Sequence, residues 1–123
     1  MLMNEKDKLG KLGEEIAAKF LLENGYSIRD RNWRYDKKEI DIIAQKENLL
    51  VVVEVKTRKY DFIEKPGEVV NKQKERFLVE ACDAYIRKHE LDFETRFDVI
   101  FISFPERNPR INHVENAFYP TLF

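Results

Sequence analysis

Two β-rich runs, Glu39 to Gln45 and Leu49 to Thr57, are separated only by a short polar break around Glu47 and Asn48. A gap this short holds a hairpin and not a crossover, so the two runs are expected to pair as neighbouring antiparallel strands. Side chains on a strand alternate between faces. Glu39 and Asp41 are therefore expected on one face, with Ile40 and Ile42 on the other. In the second run Glu54 and Lys56 share a face, opposite Val53 and Val55. If the hairpin turns on Glu47-Asn48, Lys46 pairs with Leu49. The same register then sets Asp41 opposite Glu54, and Glu39 opposite Lys56.

Directly opposed Cβ atoms on paired strands lie about 5 Å apart. Two carboxylates at that spacing repel each other, and a divalent cation between them reverses the sign of the interaction. Mg²⁺ suits such a place, held by one or two carboxylates, waters and substrate phosphate oxygens. Lys56 would then orient or help deprotonate an attacking water, or neutralise charge on the phosphate. The plainer alternative is a solvated sheet face with an Asp, a Glu and a Lys in ordinary ion pairs. A one-residue bulge would break the alignment.

The remaining periodicities supply two helices and further strands. Leu9, Leu12, Ile16, Ala17, Phe20 and Leu21 recur at helical spacing, giving an amphipathic helix from about Asp7 to Glu23 that Asn24-Gly25 ends. Tyr26 to Arg34 reads as extended. Asp61 to Gly67, with Pro66-Gly67, reads as a loop. Val70, Lys74, Phe77, Leu78, Ala81, Tyr85 and Ile86 predict a second helix from about Asn71 to His89. Phe97 to Phe104 reads as a buried strand. Pro105 and Pro109 bracket a turn, and Arg110 to Glu115 reads as a final edge strand. The order α-β-β-β-α-β-β predicts a mixed sheet covered by two helices.

Composition narrows the function classes. The 123 residues, 43% hydrophobic with 4 Gly and 4 Pro, suit one domain over 1–123 with a real core. The single Cys82 excludes an intramolecular disulfide and any zinc site built on two cysteines, and is expected to be buried. The longest aliphatic run, Leu49 to Val53, is too short to span a membrane, and Met1 to Asp7 lacks an apolar signal core, so a cytoplasmic protein is expected. Net charge is −1, which selects no partner. The distribution is more specific: Arg29, Arg31, Arg34, Lys37 and Lys38 form one basic group, Lys56, Arg58 and Lys59 a second, and Lys72, Lys74 and Arg76 a third. Trp33, Tyr35 and Tyr60 interleave with them. These groups read either as a phosphate-binding surface or as an ordinary solvated surface.

Several motifs carry a family resemblance. Gly13-Glu14-x-x-Ala17, Gly25-Tyr26, Arg31-Asn32-Trp33-Arg34, Glu39-Ile40-Asp41-Ile42-Ile43-Ala44, Val53-Glu54-Val55-Lys56-Thr57-Arg58, Arg96-Phe97-Asp98-Val99 and Asn116-Ala117-Phe118 resemble the YraN-type family of bacterial proteins. The match runs from about residue 10 to 118. That family in turn resembles the PD-(D/E)xK nuclease superfamily, and archaeal Holliday-junction resolvases in particular. The resemblance implies an α/β, restriction-endonuclease-like mixed β-sheet with an αβββαβ core flanked by helices, and a metal-dependent phosphodiesterase site. It places Asp41, Glu54 and Lys56 as catalytic residues. Asp41 and Glu54 would hold Mg²⁺ or Mn²⁺, and Glu14 stands where a helix glutamate completes the metal set. Glu14 read alone is a plain helix acid bordering the apolar stripe. Ile40 stands where the superfamily has Pro, and Lys38 where the YraN-type pattern usually has Gly.

A second tier of residues reads two ways. Lys74, near the start of the second helix, is either a lysine covering core surface or one directed over the sheet to a phosphate. Gln73, Arg34, Lys38 and Arg58 are candidate nucleic-acid contacts or solvated side chains. Trp33 is read as stacking on a base or packing on the sheet. Arg96 and Asp98 read as structural polar groups at a strand end, and His89 and His113 as surface residues. The resulting expectation is a metal-dependent nuclease acting on DNA, branched or single-stranded, with a homodimer as one expected form. The alternatives are a non-catalytic nucleic-acid-binding module that kept the fold and a protein-interaction adaptor.

Overall fold

A computed structural model of the chain describes residues 3–60 and 70–118. The loop expected from Asp61 to Gly67 lies outside the described residues. The elements are α1 (Glu5–Glu23), β1 (Ser27–Tyr35), β2 (Lys38–Lys46), β3 (Leu49–Arg58), α2 (Lys72–His89), β4 (Glu94–Ser103) and β5 (Arg110–Val114). The five strands form one sheet in the order β1-β2-β3-β4-β5. β3 and β4 are parallel, and the other pairs are antiparallel. This is the mixed, helix-flanked sheet that the order of periodicities predicts.

Each helix covers one sheet face. Ala17, Ala18 and Leu21 of α1 pack with Ile42, Ala44, Val51, Val53, Ile100 and Ile102. Phe77, Leu78, Ala81, Cys82 and Tyr85 of α2 pack with Ile43, Leu50, Val52, Phe97, Val99 and Phe101. β3 and β4 are thus apolar on both faces, which explains their unbroken runs of Val, Ile and Phe. Each fully buried aliphatic or aromatic side chain contributes about 1.5–3 kcal/mol of transfer free energy. Cys82 is buried and unpaired, as expected. No helix among the described residues is long and apolar enough to cross a membrane.

Capping sets the helix ends. Asn4 Oδ1 accepts the Asp7 N–H at 2.8 Å, so α1 starts two residues before the expected Asp7. Asn71 does the same for Lys74 N–H at 2.8 Å and begins α2. β4 starts at Glu94 instead of Phe97, because parallel pairing with Leu49 to Val51 recruits its polar first residues.

Two expectations are corrected. Ile40 and Ile42 do not share a face: Ile42 packs on the α1 side and Ile40 on the α2 side. The alternation of β2 breaks at the intervening Asp41. Across from it on β1, Asn32 takes a left-handed φ of 50°, and the pairing passes from Arg31↔Ile42 directly to Trp33↔Ile40. Such irregularities re-aim a side chain. His113, expected on the surface, has a side chain only 12% exposed, because Asp98 on the neighbouring strand draws its ring inward.

Candidate active site

The hairpin between β2 and β3 has the expected register, with Lys46 paired to Leu49 around Glu47 and Asn48. Glu47 takes a φ of 54° to make the turn. The pairing runs up to Ile42↔Val53 and ends there, one step short of Asp41 and Glu54. Glu39, expected opposite Lys56, is instead paired across β1 with Arg34, and their side chains form an ion pair of 3.4 Å. β2 and β3 therefore fork at the two acids. Asp41 Oδ2 accepts the Val55 N–H at 2.8 Å, replacing the backbone partner that the fork removes.

The fork concentrates negative charge. Burial pushes the Asp41 carboxyl up to about 7, the charge of Glu54 adds to this, and Glu14 contributes further. The Val55 N–H and Lys74 pull in the opposite direction. Glu54 itself is 5% exposed. Its Oε1 lies 3.4 Å from Lys56 Nζ, and its Oε2 lies 3.4 Å from Lys74 Nζ. Oε2 is nonetheless buried with no hydrogen-bond partner. An orphaned, inaccessible carboxylate oxygen beside a second carboxylate fits a divalent cation, which takes oxygen ligands and removes the repulsion.

Glu14 is placed differently. Its Oε1 accepts a hydrogen bond from Asn32 Nδ2 at 2.9 Å. Among the described residues no group of three or more His, Cys, Asp and Glu side chains is gathered tightly enough to hold a metal. The acids thus form a close pair with a third acid nearby. Gly13 brings α1 this close: a Cβ there would collide with Thr57 Oγ1 and lie 2.9 Å from Thr57 Cβ. Thr57 follows Lys56 on β3, so the bare glycine lets α1 lie close to the end of β3 and brings the next residue, Glu14, near enough to act on Asp41. The signal was the glycine inside an otherwise helical pattern.

The basic candidates separate. Lys74 and Lys38 both sit over the Phe77 ring, at 5.6 Å and 5.5 Å, so they occupy the same corner as Glu54. Gln73 is exposed on the first turn of α2. Arg58 Nη1 donates to the Thr57 carbonyl at 3.0 Å. The Arg29 to Lys38 group is largely tied to the protein itself. Arg29 donates to Gln45 Oε1 at 2.7 Å and Tyr85 Oη at 3.1 Å, and Arg31 pairs with Glu15 at 2.8 Å. Trp33 packs edge-on against Tyr85, with centroids 5.1 Å apart.

A second polar cluster lies on the α1 side of the sheet. Asp98 accepts from Arg96 Nε at 2.9 Å and Nη2 at 2.8 Å, and from the Asn116 N–H at 3.1 Å, while His113 Nε2 lies 2.7 Å away. Burial works to raise its pKa, but these partners outweigh it and hold the carboxyl below the ordinary value. Arg96 also donates to Tyr26 Oη at 2.6 Å. The expected structural role of Arg96 and Asp98 accords with this satisfied network. The addition of His113 was not legible, because nothing in its spacing links residues on different strands.

Comparison with known proteins agrees with the motifs. The family model described as "Uncharacterised protein family UPF0102" matches residues 13–102. A UPF0102 protein of Bacteroides thetaiotaomicron is 47% identical over 121 residues, covering 98% of this chain and all of that protein. One from Flavobacterium psychrophilum is 46% identical over 117 residues, covering 95% of this chain and 98% of that protein. One from Parabacteroides distasonis is 41% identical over 117 residues. The chain thus belongs to the UPF0102 family, the YraN family anticipated from its motifs.

Proposed function

We propose that this protein is a Mg²⁺- or Mn²⁺-dependent nuclease that hydrolyses phosphodiester bonds in DNA, branched or single-stranded. The observation that carries the reading is the buried Asp41–Glu54 pair at the strand fork, with Glu54 Oε2 lacking a hydrogen bond and Lys56 alongside. Asp41 and Glu54 would hold the cation, and Glu14 would support it from α1. A bound divalent cation would polarise the phosphate and acidify a water. Lys56, on the same strand as Glu54, is set to neutralise charge developing on the phosphate or to orient the water. Lys38 and Lys74, over the Phe77 ring, are the first proposed contacts to the DNA backbone, joined in this reading by Gln73, Arg58 and Arg34.

Calorimetry with Mn²⁺ tests the reading. A binding event in the wild type that disappears in both Asp41→Ala and Glu54→Ala supports it. No wild-type binding, with or without a DNA oligonucleotide, removes it. One observation favours a binding module that kept the fold: Glu14 is engaged by Asn32 instead of completing the acid pair. Such a module would bind DNA with a steep salt dependence and no metal requirement.

A further inference from the structure

Glu54 faces ammonium groups from two different elements: Lys56 from its own strand and Lys74 from α2. The contact with Lys74 is an ion pair without a hydrogen bond, since Oε2 has no hydrogen-bond partner. Lys74 is the third residue of α2, and its N–H is fixed by the Asn71 side chain. A positive charge at that end of a helix opposes the macrodipole. Attraction to Glu54 compensates for that cost and turns the side chain over the sheet. The Lys74 side chain is 30% exposed, against 6% for that of Glu54, so its ammonium lies between the buried carboxylate and solvent.

We propose that Lys74 stands at Glu54 Oε2 in place of a divalent cation, is displaced when the cation binds, and then meets the substrate phosphate. This rests on the metal-site reading above. With the carboxylates ionised, Asp41, Glu54 and the nearby Glu14 are matched by Lys56, Lys74 and Lys38. An entering dication overfills the site with positive charge, and a phosphodiester offsets the excess. Cation and phosphate therefore bind with positive coupling, which is reciprocal by linkage. Lys74 lowers the affinity for metal alone and raises the affinity for metal and phosphate together.

The test is Mn²⁺ calorimetry on wild type, Asp41→Ala, Lys74→Ala, Lys74→Met and Lys74→Arg, with thermal melting to check folding. Lys74→Met keeps an unbranched apolar side chain of similar length and separates charge from bulk. Lys74→Ala and Lys74→Met should bind Mn²⁺ roughly fivefold or more tightly than wild type, within the usual range of coupling between sites. Lys74→Arg, which keeps the charge, should stay near wild type. With Ca²⁺ in place of Mn²⁺, binding of a short oligodeoxynucleotide should weaken in Lys74→Met, and the salt slope should fall by about one. Unchanged or weaker Mn²⁺ binding in both neutral variants overturns the proposal. If wild type still binds Mn²⁺ in an Asp41-dependent way, only the role of Lys74 falls. If no protein binds Mn²⁺, or Asp41→Ala binds as wild type does, the metal site falls and the role of Lys74 with it.

Discussion

Asp41 Oδ2 takes the Val55 N–H at 2.8 Å just beyond the last paired residues of β2 and β3, Ile42 and Val53. A side chain therefore does what a strand backbone usually does. This lets the two strands separate without leaving an unpaired amide, and it holds the Asp41 carboxylate at the fork. The same arrangement desolvates Asp41 beside Glu54, which makes the protein less stable than a neutral version would be.

Without metal, stability should fall as pH rises. Burial holds the folded-state pKa of Asp41 at about 7, against roughly 3.9 for an ordinary aspartate. Between those values the folded state binds more protons than the unfolded one, so unfolding free energy declines with pH. The decline should be on the order of 2 kcal/mol between pH 5 and pH 8. Asp41→Asn, which keeps an acceptor for Val55, should flatten this slope and be the more stable protein at pH 8. Urea unfolding in chelator at the two pH values measures both effects. A flat wild-type profile would show that the acid pair is not desolvated as described.

Gly13→Ala should destabilise the fold by about 1–3 kcal/mol, the usual range for overpacking. Thr57→Gly removes every Thr57 atom that the added Cβ would meet. The double variant should recover part of the loss, giving a coupling energy of about 1 kcal/mol or more in a denaturation cycle. Additive losses would mean that α1 and β3 are not in the contact described.

Asp98→Ala should cost about 3–5 kcal/mol, because it leaves the half-buried Arg96 without its main partner. The wild-type contribution of Asp98 is present above the ordinary carboxylate pKa and is lost as pH falls through its lower folded value. The variant should therefore show less additional loss of stability under strong acid. Mn²⁺ affinity should be unchanged, since the cluster lies on the α1 side and Glu54 on the other.

On the proposed nuclease reading, Lys56→Ala should retain Mn²⁺ binding and lose cleavage by roughly 10²–10⁴-fold, the scale of a positioned acid–base or charge-stabilising group. Single-turnover cleavage beside calorimetry separates the two quantities. Loss of both together would mean that Lys56 holds Glu54 in place and does not act on the substrate.

Most of the architecture was legible because periodicity survives burial. The runs of β3 and β4, the stripes of the two helices and the Glu47-Asn48 turn were all read from spacing. The acids were legible too, since Asp41 and Glu54 are local to one hairpin. The fork was not, because it depends on where pairing stops and on Asn32 adopting a left-handed conformation opposite Asp41. The contact of Lys74 with Glu54 was only half-visible: helical spacing placed the lysine on the right stripe, but a stripe does not say which strand residue lies beneath. The inward turn of His113 was invisible for the same reason.

The irregularity that seats Asn32 against Glu14 has a consequence for self-association. Among the described residues β1 is an edge of the sheet, and a flat, regular edge is a template for a strand from another molecule. Here the register slips between Ile28 and Asp30, Asn32 turns left-handed four residues later than Ile28, and Arg31, Asn32 and Arg34 project from the exposed strand. A second chain could follow that edge for only a few residues before losing alignment. The distortion beside the acid pair thus also guards the protein against edge-to-edge aggregation.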